Sequence, residues 1–288
     1  MKRREFLATG AVATLGLGFN APKVGVAQAP GGRKIARGKA TTTRLFKSPG
    51  MYPNALAVAP EGLWIAQLKL SAQQAKNLGE PVPPDRDEAA WLVDWNGKLL
   101  KTIIAHSRTT SGLAYGNNCI WMGANSDPQG FFQIDMESKE LRHLQIPLGQ
   151  PENGGGCHGA QWHNGKLWIA SNRMRGNLRV DPVTWTPELF LPIYTTPEQP
   201  SWHDLTFDKD GFLWQINGND SASVGANSTG LVKYDPESGQ VVQLVDFEPA
   251  QCDPHGLEYH DGAFISCDPG WRDLGSPYSG WVFRIDIA

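Results

Sequence analysis

Past residue 30, this chain of 288 residues has no apolar run long enough to cross a bilayer. It also lacks a phosphate-cradling glycine loop, a dinucleotide glycine fingerprint and a nucleophile elbow, so the corresponding reaction templates are set aside. There is no basic patch. Lysine and arginine number 26 against 29 acids; without residues 1–29, which carry Lys2, Arg3, Arg4, Lys23 and Glu5, the balance becomes 22 against 28. Nucleic acid is therefore not an expected partner. Cysteine is scarce, with Cys119, Cys157, Cys252 and Cys267 only, and none has metal-finger spacing. Cys252 and Cys267 flank one hairpin and either bridge there or remain buried thiols. Gly154-Gly155-Gly156 leave room for Cys157 as a loop nucleophile, but no positioned activating partner is visible.

Glycine (32), proline (21) and tryptophan (11) are plentiful, while helical periodicity is weak. That mix suits many short strands joined by turns. One stretch recurs, clearest from Cys157 to Asn172: a strand, a tight turn at Asn164-Gly165, and a second strand carrying Trp168. Four relatives of it begin at Asn54, Ser111, His203 and His255. With His158 these starts are spaced 57, 47, 45 and 52 residues apart, a period expected of a solenoid or propeller. In each unit the first strand alternates, as in Leu205 and Phe207 or Leu257 and Tyr259. The turns carry Glu61-Gly62, Asn117-Asn118, Asn164-Gly165, Asp210-Gly211 and Asp261-Gly262, pairs suited to positive φ. The second strand carries Trp64, Trp121, Trp168, Trp214 or Phe264, which are expected to fill the wedge between neighbouring sheets. A third strand runs into Asp94, Asp135, Asp181, Asp235 or Asp286, aspartates expected to accept from turn amides.

The N-terminus has a different grammar. Arg3-Arg4 precede Phe6-Leu7, an apolar stretch reaches Phe19, and Ala27-Gln28-Ala29 is a small-x-small cleavage site. Residues 1–29 read as a signal peptide of the twin-arginine type, giving a periplasmic or secreted protein. Residues 30–39 read as a linker, and 40–288 as one domain. Four of the five units contain a fourth strand, but the fifth stops at Ala288 after its third. The lone strand Thr41–Phe46 has no unit of its own, and its simplest place is as the fourth strand of the last unit. The expected fold is all-β, a five-bladed β-propeller closed by this N-terminal strand in the last blade.

In such a fold, the starts of first strands and the ends of second strands meet at one mouth. The starts give Asn54, Ser111, His158, His203 and His255; the ends give Gln67, Asn125, Asn172, Asn217 and Asp268. Convergent polar groups in a concave site are the default place for a ligand. Three histidines at equivalent positions suggest a transition metal with positions open to substrate, and the oxygen donors suggest calcium or magnesium. The expected metal ligands are Asn54, His158, His203, His255 and Asp268, holding Ca, Mg, Zn or Fe. A histidine left free would act as catalytic base. Long insertions at Leu68–Ala89, Gly218–Thr229 and Asp268–Ser279 lie on the same mouth. There, Asn125, Asn172 and Asn217 are expected to bind substrate, Arg272 to hold a carboxylate, and Trp202 or Trp271 to stack a ring.

The units, with His-Gly-Leu, an Asp-Gly turn and Leu-Trp-Ile-Ala, resemble the repeats of streptogramin (virginiamycin B) lyases. Pro53-Asn54-Ala55-Leu56-Ala57 is similar to the strand start of SMP-30/gluconolactonase propellers. The second resemblance implies that Asn54 ligates a divalent metal, with Asp204 or Asp268 as the acidic partner from another blade. The first implies a mouth histidine at His255. Lyase second strands often end in glutamate, where this chain has Gln67, Asn125, Asn172 and Asn217; both groups usually carry six or seven blades. The chain is thus read as an exported, monomeric, metal-dependent hydrolase or lyase acting on a lactone- or ester-type small molecule. The alternative is a non-catalytic propeller that binds a small ligand or protein partner at the same mouth.

Overall fold

The computed structural model describes residues 23–24, 35–70, 72, 75–76, 87–148, 156–171, 173–193, 202–217, 230–247, 252–270 and 276–288. The expected signal peptide lies outside these apart from Lys23–Val24, as do Asn172, Trp271 and Arg272 and most of the long insertions. The fold is all-β, in the manner of a propeller, and no helix among the described residues is long and apolar enough to cross a membrane.

Each repeat unit is an antiparallel meander. The first runs β3 (Pro53–Ala59), β4 (Gly62–Gln67), β5 (Glu88–Val93) and β6 (Leu99–Ala105). The second runs β7 (Thr110–Gly116), β8 (Cys119–Ala124), β9 (Gly130–Asp135) and β10 (Glu140–Leu144). The third runs β11 (Gly159–His163), β12 (Lys166–Ser171), β13 (Gly176–Val180) and β14 (Pro187–Pro192). The fourth runs β15 (Leu205–Phe207), β16 (Leu213–Asn217), β17 (Gly230–Tyr234) and β18 (Val241–Phe247). The fifth has β19 (Leu257–His260), β20 (Ala263–Cys267) and β21 (Trp281–Ile287).

The N-terminal strand β2 (Ala36–Lys47) does two things. From Ala40 to Lys47 it pairs antiparallel with β21, supplying the fifth unit's fourth strand. From Ala36 to Ala40 it pairs parallel with β18 and so joins the fourth and fifth units into one eight-stranded sheet. The strand therefore begins within the stretch read as a linker. Lys23–Val24 form a short β1 in parallel register with β14.

The turn chemistry is local and follows the dipeptides. Asn164 and Gly165 have φ of 50° and 72°, as do Asp261 and Gly262 at 47° and 78°, the left-handed region these residues tolerate. Oδ1 of Asp94 accepts the amides of Asn96 and Lys98, each at 2.9 Å. Asp135, Asp181 and Asp235 repeat the device.

The second-strand aromatics fill the seams between sheets. Trp121 stacks with Trp162 of the third unit at 6.0 Å, Trp168 meets Phe207 of the fourth at 5.1 Å, and Trp214 meets Phe264 of the fifth at 4.9 Å. Trp64 is buried in a cluster that includes Leu113, Ile120 and Met122 of the second unit. Truncating a tryptophan so placed typically costs about 3–5 kcal/mol.

First strands pack against first strands along the series β3, β7, β11, β15 and β19, and β19 packs in turn against β3. At that last seam the backbones come close. A Cβ on Gly256 would lie 2.9 Å from the Leu56 nitrogen and 2.7 Å from its Cγ, so only glycine fits. This stack of first strands brings residues from distant parts of the chain to one end.

Candidate metal and ligand site at the mouth

His158 lies one residue before β11, and His203 and His255 each two residues before β15 and β19. Equivalent places in successive units bring their rings together. The His203 and His255 centroids are 3.9 Å apart, and those of His158 and His203 are 5.6 Å apart. His203 and His255 are buried, and His158 is half-buried.

Asp253 completes the group. Its Oδ2 lies 3.2 Å from Nε2 of His255, and one ligand atom from each of His203, Asp253 and His255 falls within 4.8 Å of the others. Ligand atoms at about 2.1 Å from a common zinc ion are roughly 3–4 Å apart. Two imidazole nitrogens and one carboxylate oxygen are also the donor set of known catalytic metal sites, which leave positions open. The side chains thus fit an ion after a small closing movement.

His158 is held differently. Nδ2 of Asn125, at the end of β8, approaches its Nε2 at 2.8 Å. Asn125 thus acts on a histidine, which no pattern in the repeat announced.

Asp268 was expected among the ligands. Its Oδ2 accepts the Asp253 amide at 2.9 Å and the Ser276 hydroxyl at 3.3 Å, and its Oδ1 accepts the Gly270 amide at 2.7 Å. The structure therefore places it behind Asp253, as the residue that shapes the ligand loop. Burial lifts its carboxyl to about 6, with the nearby Asp253 charge adding to the rise. Asn54, another expected ligand, contacts the second unit through its amide nitrogen. Its Nδ2 donates to the Thr110 carbonyl at 2.7 Å and to Ser111 Oγ at 3.0 Å, joining the first unit to the second. Asn54 Oδ1 is buried and accepts no hydrogen bond.

Trp202, read as a ring-stacking residue, is 2 % exposed and packs with Trp168 and Leu205 in the core. Its ring is spent on the seam between the third and fourth units. Asn217 is buried at the end of β16, opposite Gly230. Asn172, Trp271 and Arg272 fall outside the described residues.

Two further acids fasten the inner strands. Asp204 is fully buried; its Oδ1 accepts the amides of Ala160 and Leu205, each at 2.9 Å, and its Oδ2 accepts that of Leu257 at 3.1 Å. Three units thus meet on one carboxylate, whose pKa burial pushes well above the usual range. Lower down, Glu258 Oε2 receives Gln161 Nε2 at 2.8 Å and Thr206 Oγ1 at 3.4 Å, and burial pushes Glu258 to about 8. Neither Gln161 nor Glu258 stood out in the sequence. Asp253 had one signal, its place two residues before His255 across Pro254.

The four cysteines are free and buried. Cys252 and Cys267 do not bridge. Burial pushes the Cys157 thiol far up, and Cys157 is completely enclosed, so it is no nucleophile.

No protein-family profile and no curated protein sequence matches the chain. Solved structures do. A glutaminyl cyclase of Myxococcus xanthus superimposes with a TM-score of 0.58 at 11% identity, covering 88% of this chain and 98% of that one. A protein of unknown function from Bacteroides caccae gives 0.47 at 12% identity over 77% and 72% of the two chains. The WD40 β-propeller domain of Doa1 gives 0.47 at 10% identity over 80% and 62%. At such identities the likeness concerns the fold alone, and the last two overlaps are too loose to argue from.

Proposed function

We propose that this chain is an exported, monomeric, five-bladed propeller whose mouth binds a divalent metal and hydrolyses or cleaves a lactone- or ester-type small molecule. The observation that carries the reading is the clustering of His203, Asp253 and His255, three donors from two units within 4.8 Å. A divalent ion held there would polarise a carbonyl oxygen. The softness of two imidazoles favours zinc or iron over calcium or magnesium. His158, hydrogen-bonded to Asn125 beside His203, is the candidate general base. Asp268 keeps Asp253 in place through its amide.

Closure by β2, the packing of β19 on β3 and the five meanders support the five-bladed count. The N-terminal pattern Arg3-Arg4-Glu5-Phe6-Leu7 supports export by the twin-arginine route, with residues 1–29 removed. The repeat motifs shared with streptogramin lyases and SMP-30-type lactonases point to lactone and ester substrates.

Metal analysis of protein exported by its native host tests the site. One equivalent of metal is expected in the wild type, and less than a tenth of that in His203→Ala/His255→Ala. The same preparations, assayed on a panel of lactones and aryl esters, should lose turnover with the metal. Wild-type protein that carries no metal even after incubation with zinc, iron, calcium or magnesium would leave the mouth as a non-catalytic binding surface.

A further inference from the structure

A cleft lies beside the last strand, linked through Asp268 to the loop that carries Asp253. The end of β2 and the start of β21 enclose it, a volume of about 550 Å³ between Lys47–Met51 and Ser276–Trp281. That volume is in the range of small-molecule sites, about 300–1,000 Å³. Its walls are of two kinds. Pro49, Met51, Pro277 and Trp281 are apolar, and Met51 is largely exposed. The polar lining is Lys47 with the hydroxyls of Ser48, Ser276 and Ser279.

The charge balance of the cleft is one-sided. Among the described residues its lining holds one cation, Lys47, and no carboxylate. A second cation stands at its rim. The Arg44 guanidinium lies 5.1 Å over the Trp281 ring and donates to the Pro277 carbonyl at 3.1 Å. Lys47 approaches the same ring at 5.8 Å. Trp281 thus holds both cations at the cleft, each with donors left over for a guest. In a chain with more acids than bases, this pairing selects an anion.

The cleft is also joined to the reaction site. Ser276 Oγ donates to Asp268 Oδ2, which accepts the amide of Asp253. The Asp268 amide in turn donates to the Trp281 carbonyl at 3.1 Å, and Ser48 donates its amide to Gly280 at 3.0 Å. One residue, Asp268, therefore separates the cleft wall from the ligand loop.

We propose that this cleft binds the anionic end of the substrate handled by the imidazole–carboxylate cluster, a small organic carboxylate with an apolar body. The proposal rests on the reading of that cluster as a reaction site. Lys47 and Arg44 take the role that sequence reasoning gave to an arginine in the neighbouring insertion, and Trp281 supplies the apolar wall.

The experiment follows the Trp281 indole by nuclear magnetic resonance in the exported protein, with Trp281→Phe to assign the signal. Phenylacetate is the probe, phenylethanol its uncharged twin, and inorganic phosphate an anion without the apolar body. Phenylacetate should shift the indole saturably, and both comparison compounds should bind at least about tenfold more weakly. Lys47→Gln with Arg44→Gln should weaken phenylacetate about tenfold, whereas His203→Ala/His255→Ala should leave its binding within about twofold. Absence of a saturable shift, equal binding of phenylethanol or phosphate, or full affinity in the Lys47/Arg44 variant would each overturn the proposal. If phenylacetate binds as expected but no lactone or ester is turned over, the cleft stands and the reaction falls. If turnover is seen without carboxylate binding, the reaction stands and the cleft falls.

Discussion

The first-to-second seam and the seams among the third, fourth and fifth units occupy equivalent places, yet different side chains fasten them. At the first seam Asn54 donates to Thr110 and Ser111, and the buried Glu88 carboxylate accepts the amides of Thr109 and Thr110. Among the later units Asp204 accepts amides from three units, with Glu258 below it receiving Gln161 and Thr206. The repeat delivers a side chain to the same point each time, and the residue type decides what the point does. Glu88 joins two units and Asp204 joins three, and the imidazole cluster lies on the side of Asp204.

The sharpest way to break this contrast is Asp204→Ala. It leaves the amides of Ala160, Leu205 and Leu257 buried without acceptors. At about 1–3 kcal/mol for each orphaned donor, a loss on the order of 5 kcal/mol is expected in urea unfolding. A loss below about 1 kcal/mol would mean that the later seams do not depend on the carboxylate.

Glu258→Gln comes next. Glu258 is nearly fully buried, and its carboxyl is raised from 4.5 to about 8 by burial. A raised carboxyl binds protons in the folded state that the unfolded chain has released. Its contribution is therefore complete below pH 4.5 and is lost as pH rises towards 8. Glu88, also buried, adds a smaller step of the same sign that is over by about pH 6. Melting curves of the wild type should fall across both windows. In Glu258→Gln the fall between pH 6 and 8 should shrink to the part that buried Asp204 contributes, leaving the variant more stable than the wild type at pH 9 by several kcal/mol. A wild-type profile that is flat from pH 6 to 9 would remove the carboxylate from this account.

Asn54→Ala should have the smallest effect, about 1–2 kcal/mol from two lost hydrogen bonds. Its metal content should equal that of the wild type. Metal lost with Asn54 would restore the lactonase-like ligand set and make the first seam part of the site.

Much of the architecture could be read before any coordinate was known, because its determinants are short-range. An Asn-Gly or Asp-Gly pair states its own turn, a tryptophan on an alternating strand states a buried seam, and an aspartate beyond a third strand states its own loop. The trailing strand at Thr41–Phe46 could be placed by counting, since one unit was a strand short. The parallel pairing of Ala36–Ala40 with β18 could not, because nothing local to those residues names a partner so distant.

The site was legible only in part. The three histidines recur at equivalent positions, so their meeting followed from the repeat. Asp253 has no counterpart in the other units, and only the fold of its loop brings it to His255. Asp268 was expected as a ligand from its charge and its place at the end of its strand; that both of its oxygens also accept backbone amides could not be read from the sequence. Trp202 looked like a surface ring, and burial decided otherwise.

The two partners of β2 carry a consequence for biosynthesis. The strand is made long before its partners β18 and β21 emerge. Throughout elongation, Ala36–Lys47 is a bare template that any passing strand could capture. A ribosome that stops before Trp281 therefore releases a sticky polypeptide rather than a slightly shortened one, and the last seven-residue strand settles whether the first one is safe.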